Sequence, residues 1–109
     1  MEPKELYDRA VEAGRAAAFA ENAKLPPEAS RGFDCGFAWV VIRPARGPFV
    51  SYLKNHGHGH SHYSGGWAIW YSEFSAPTQS ISVHEAAAQA VRDVLAAEGL
   101  NVSVGPRLD

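Results

Sequence analysis

Phe37-Ala-Trp-Val-Val-Ile42 is the stretch whose reading decides the fold class. Six consecutive apolar residues, rich in aromatic and β-branched side chains, form a strand. A strand apolar on both faces belongs in the interior of a sheet. Arg43-Pro44 ends it, and Gly47-Pro48 then opens a short helix with Pro48 in its first turn. Phe49, Val50 and Leu53 supply the buried side of that helix, and Asn55 and Gly57 end it.

Downstream, residues 56–66 form a loop of His and Gly that leads into a second strand, Trp67-Ala-Ile-Trp-Tyr-Ser-Glu-Phe74. Ser75-Ala-Pro77 makes a turn, and Thr78 to Ile81 is a candidate third strand. A helix follows, opened by a capping box of Ser82 and Glu85 and carrying the stripe Ala87, Ala90, Val91, Val94 and Leu95. Gly99 closes that helix with a left-handed cap, and residues 101–105 alternate as a half-buried strand.

Upstream, residues 25–36 form a linker punctuated by Pro26-Pro27, Gly32 and Gly36. Residues 1–24 carry an Ala-rich amphipathic helix whose apolar stripe runs through Leu6, Ala10, Ala13 and Ala17. So small a face points to modest burial, as an appendage to the core would have. Phe19 breaks the pattern by projecting among charged residues, which points to contact with another element or subunit.

The reading is one α+β domain over residues 1–109, with an α+β core over residues 37–109. Its order is β-α-β-(β)-α-β, preceded by the extra N-terminal helix. If Thr78 to Ile81 pairs back, this is the split βαβ, or ferredoxin-like, arrangement. If it does not, a three-stranded sheet with two crossover helices remains. Both place the helices on one face and leave the other open unless the first helix or a second copy covers it.

The chain has 109 residues, enough for one core. Apolar residues make up 46% and charged residues 20%, which is globular rather than disordered composition. The net charge of −2 lacks the basic excess of a nucleic-acid binder. The lone cysteine, Cys35, excludes an intrachain disulfide. The N-terminus shows no secretory pattern and no run is apolar enough for a membrane helix, so cytoplasmic residence with no membrane partner is expected.

Two constellations stand out. The first is His56-Gly-His58-Gly-His60-Ser-His62. Alternate side chains of an extended segment point the same way, and imidazole binds zinc and nickel, so His56, His58, His60 and His62 are candidate metal ligands. No carboxylate neighbours them in sequence to orient the rings, so the alternative is a solvated loop that takes up zinc or nickel adventitiously, with no resident cofactor. The second is aromatic. Phe37 and Trp39 share one face of the first strand, while Trp67 and Tyr71 share a face of the second. With Phe19 they form the candidate binding set. An aromatic sheet face can bind nucleic acid weakly by stacking bases, hold a planar ligand, or bury itself against a protein or a second copy. Thr78-Gln-Ser-Ile81 lacks the aromatics that RNA-recognition sheets carry on their third strand.

Tyr63-Ser-Gly-Gly-Trp67 leads into a strand, not a helix, so it is a turn and not a phosphate cradle. Asp34, Cys35, Glu73, His84 and Glu85 show no catalytic spacing, and no active site is legible.

Cys35-Gly-Phe-Ala-Trp-Val-Val41, Tyr63-Ser-Gly-Gly-Trp67, Ala68-Ile-Trp70, Gln79-Ser80 and Arg107-Leu-Asp109 resemble, as a set, small uncharacterised proteins encoded by bacteriophages and prophages. The resemblance covers residues 34–109. It implies a small accessory protein, and since no activity is attached to that group it assigns no site residues. The expected function is non-enzymatic protein–protein binding, with a host protein among the partners, and self-association into a homo-oligomer.

Overall fold

The computed structural model describes residues 1–24, 36–76 and 80–108, the last three by their backbone alone. The linker and Cys35 lie outside the described residues. The fold is α+β. In chain order its elements are α1 (Pro3–Lys24), β1 (Gly36–Ile42), α2 (Pro48–Asn55), β2 (His60–Ser61), β3 (Trp67–Trp70), a 3-10 turn (Tyr71–Glu73), α3 (Ile81–Ala97) and β4 (Val102–Leu108). The four strands form one sheet in the order β2-β3-β1-β4, and every neighbouring pair is antiparallel. β1 lies inside the sheet, as its double-sided apolarity requires.

Register assigns the faces. Val40 lies opposite Ile69 and Val104, and Ile42 opposite Trp67 and Val102. Ala38, Val40, Ile42 and Ile69 join one buried cluster with Leu6 and Ala10 of α1, Phe49, Val50 and Leu53 of α2, and Val83, Ala87, Val91 and Leu95 of α3. All three helices therefore draw on the same sheet face. The opposite face carries Phe37, Trp39 and Val41 of β1, with Trp70 and Ala68 paired to Trp39 and Val41.

Four expectations need correction. First, the candidate third strand, Thr78 to Ile81, does not run to its end as a strand. Ile81 begins α3, and Thr78 and Gln79 lie outside the described residues. The strand pairing with β3 comes instead from the histidine loop, at His60–Ser61. Gly59 makes this possible, because its φ of +78° and its closeness to the Ala68 carbonyl and the Trp67 indole leave no room for a β-carbon.

Second, the strand begun at Trp67 stops at Trp70. The 3-10 turn swings Phe74 inward, where it is 1% exposed. Third, Ser82 and Glu85 do not cap α3. The helix starts at Ile81 with Ser80 as its N-cap residue, and the Ser80 hydroxyl meets that of Ser82 at 2.9 Å. His84 consequently faces the core, fully buried, with Nδ1 2.7 Å from the Ser75 hydroxyl.

Fourth, α1 is no appendage. Leu6, Ala10, Gly14 and Ala18, four residues apart, form its buried row against α3. A β-carbon at Gly14 would sit 2.6 Å from the Phe74 carbonyl and 2.9 Å from the Val91 side chain. Small residues here bring two helix backbones together, so the modest side chains mark intimate packing.

Candidate functional site: an aromatic groove on the exposed sheet face

The sheet face turned away from the helices holds a groove of about 550 Å³, lined by Trp39, His60, Ser61, His62, Tyr63, Ala68 and Trp70. Ligand sites commonly have volumes in this range. Trp39 and Trp70 are a direct cross-strand pair, their ring centroids 5.3 Å apart and their planes at 50°. Both are half-buried. Phe37 extends the aromatic surface, edge-on to Trp70 and stacked on Tyr71, each 5.9 Å away. Tyr71 in turn lies 4.1 Å from the His84 ring, which ties this row to α3. Gly105 stands opposite Trp39 on β4, where a β-carbon would strike the indole.

The two histidines of the groove have assigned tautomers. An indole N–H can only donate, so Trp70 Nε1, 2.6 Å from His60 Nε2, makes that nitrogen an acceptor. The proton of neutral His60 is then on Nδ1. The Ser64 backbone N–H donates to His62 Nδ1 at 3.2 Å, and the Ser64 hydroxyl reaches the same nitrogen at 2.7 Å. Arg43 donates through Nη2 to that hydroxyl at 3.0 Å and through Nη1 to Ser103 at 3.1 Å. The proton of neutral His62 is therefore on Nε2. That atom is shielded from solvent and has no hydrogen-bond partner among the described residues.

The predicted binding residues divide. Phe37 and Trp39 share the groove face as expected. Trp67 does not join them: it pairs with Ile42 on the helix side, donates through its indole to the His58 carbonyl at 2.8 Å, and has the Lys54 ammonium 5.2 Å from its ring. Period-two alternation puts Trp70, not Trp67, beside Trp39. Tyr71 reaches the aromatic row through Phe37. Phe19 is 78% exposed on α1, on the helix side.

The four loop histidines go to three different places. His56 Nδ1 lies 2.9 Å from the Tyr52 carbonyl, while His60 and His62 enter the groove. His58 turns the other way and meets Glu73, its Nδ1 3.0 Å from Oε1. Tyr7 donates to the same oxygen at 2.9 Å, and the Gly59 backbone N–H donates to Oε2 at 3.1 Å. The Tyr7 and His58 rings stack at 4.2 Å. Burial, reinforced by the Glu73 carboxylate, raises the Tyr7 pKa well above its usual 10.0. Glu73 is thus the carboxylate the loop lacks in sequence, supplied from fifteen residues downstream of His58. Among the described residues no three His, Cys, Asp or Glu side chains are grouped to hold a metal ion. No helix among the described residues is long and apolar enough to cross a membrane.

No family model, curated protein or solved structure matches the chain.

Proposed function

We propose that this chain is a non-enzymatic binding protein that engages a protein partner through the aromatic groove. The observation that carries the reading is the Trp39–Trp70 pair, two large rings held side by side on the sheet face the helices leave uncovered. Tryptophan at a half-dry surface is the residue type that most often anchors a protein contact. Among the groove's neighbours Arg43 is already held by Ser64 and Ser103, and the net charge is −2, so phosphate pairing has little to work with. This favours a protein partner over nucleic acid. An accessory role toward a phage or host protein in the cytoplasm fits the resemblance of residues 34–109 and belongs to the same proposal.

The ferredoxin-like reading is supported in modified form. Taken from its other edge the sheet reads β4-β1-β3-β2, with α2 between β1 and β2 and α3 between β3 and β4. This order supports the split βαβ plan, with β2 and β3 as its hairpin.

The test uses N-acetyltyrosinamide and N-acetyltryptophanamide as stand-ins for a partner's aromatic side chain. Titration should move the indole N–H resonances of Trp39 and Trp70 and leave that of Trp67 in place. Equal movement of all three, or of none, would count against the groove.

A further inference from the structure

A cation stands at the end of the groove face, and no carboxylate among the described residues answers it. The Arg43 amide donates to the Asn101 carbonyl at 3.0 Å, one step past the Ile42–Val102 pair, so the ladder of β1 and β4 runs on through residue 43. Alternation then puts the Arg43 side chain on the face of Trp39 and Val41. Its Nη2 donates to the Ser64 hydroxyl, which in turn meets His62 Nδ1 in the groove wall. Its Nη1 donates to the Ser103 hydroxyl. Ser103 lies opposite Val41, so that bond turns the guanidinium back along β1 toward Trp39.

Both bonds go to neutral hydroxyls. They orient the guanidinium, use one N–H on each terminal nitrogen, and leave its charge uncompensated. Arg43 makes no ion pair among the described residues. Nor does any carboxylate of theirs line the groove. The floor is thus aromatic and the rim cationic. One cation matches one carboxylate; the repeated phosphates of a nucleic acid need many.

Spacing narrows the match. With the guanidinium turned back to the level of Val41, it lies two residues along from Trp39, or about 7 Å of strand. In an extended partner, residues two apart share a face and have the same separation. We propose that the groove takes an extended segment of a partner protein carrying an aromatic residue and, two positions away, Asp or Glu. The ring packs against Trp39 and Trp70, and the carboxylate pairs with Arg43. This rests on the groove being a contact surface, the reading proposed above, and gives the partner its chemistry.

The probes are N-acetyl-Trp-Gly-Glu-amide and N-acetyl-Glu-Gly-Trp-amide, since an extended segment can run in either direction. Each is compared with its counterpart bearing Gln in place of Glu, which differs by one charge. Binding is read from the Trp39 and Trp70 indole N–H resonances of the isotope-labelled chain. In one order the Glu peptide should bind about threefold tighter than the Gln peptide at low salt, the scale of an exposed ion pair. Added salt should shrink that gap. Arg43→Gln should erase it and leave the Gln peptide's affinity in place, whereas Arg43→Lys should keep most of it. Equal binding of Glu and Gln peptides in both orders overturns the proposal, and so does a gap that survives Arg43→Gln. The Gln peptides separate the two claims. If they move both indoles and the Glu peptides do no better, the groove stands and the acidic partner falls. If no peptide moves either indole, both fall.

Discussion

Gly105 and Trp39 face each other across β4 and β1, and the indole occupies the space that any side chain at residue 105 would need. The flat seat of Trp39, and with it one wall of the groove, depends on a missing β-carbon that two strands separate from the histidine loop.

Gly105→Ala should therefore destabilise the fold or displace the indole. Overpacking of this kind costs about 1–3 kcal/mol. Thermal unfolding together with the Trp39 indole resonance reads both effects. An unchanged midpoint with an unmoved resonance would contradict the packing described.

Gly14→Ala sets two opposing effects against each other. Alanine favours a helix interior over glycine by roughly 1 kcal/mol. The new methyl, however, meets the Phe74 backbone oxygen, which has no rotamer to change, and the Val91 methyl. The steric cost, about 1–3 kcal/mol, should win. Denaturant unfolding should show a lower midpoint; a higher one would mean that α1 sits less tightly on α3.

The carboxylate of Glu73 accepts from Tyr7, His58 and Gly59. Glu73→Ala should lower stability by about 1–3 kcal/mol, since it leaves half-buried donors unpaired. Tyr7→Phe should cost less, and its effect should nearly vanish in the Glu73→Ala background. Full additivity in that double-mutant cycle would show that the network is not shared.

Tyr7 also predicts a pH dependence. Its folded pKa is raised above the ordinary 10.0, so its contribution is complete below about pH 10, the unfolded value. It is lost as pH rises toward the folded value. The alkaline fall in stability should be shallower in Tyr7→Phe than in wild type. Identical alkaline limbs would remove Tyr7 as its source.

Much of the scaffold is legible in sequence. The double-sided apolar run Phe37–Ile42 announces an interior strand, Pro48 and Gly99 mark helix ends, and the rows on α1 and α3 follow helical spacing. The candidate site is legible only by half. Phe37 and Trp39 follow from alternation, which also sets Trp70 on the face opposite Trp67, but which of those two faces meets Trp39 depends on the β1–β3 register, and no local pattern encodes that. His84 lies in register with Ala88, Val91 and Leu95, a signal outweighed by the polar character of its ring. Glu73 reaches His58 only because a 3-10 turn ends β3 early, and no local pattern encodes that. The histidines scatter because Gly57 and Gly59 bend the backbone, so the alternation that would align them does not hold.

The central claim is that the sheet face bearing Trp39 and Trp70 is the contact surface, and the three indole N–H resonances followed through an N-acetyltryptophanamide titration test it most directly. The account predicts that Trp39 and Trp70 shift together as the amide binds, while Trp67, bonded to the His58 carbonyl on the helix side, stays fixed. Movement of Trp67 alone, or three stationary resonances, would contradict it.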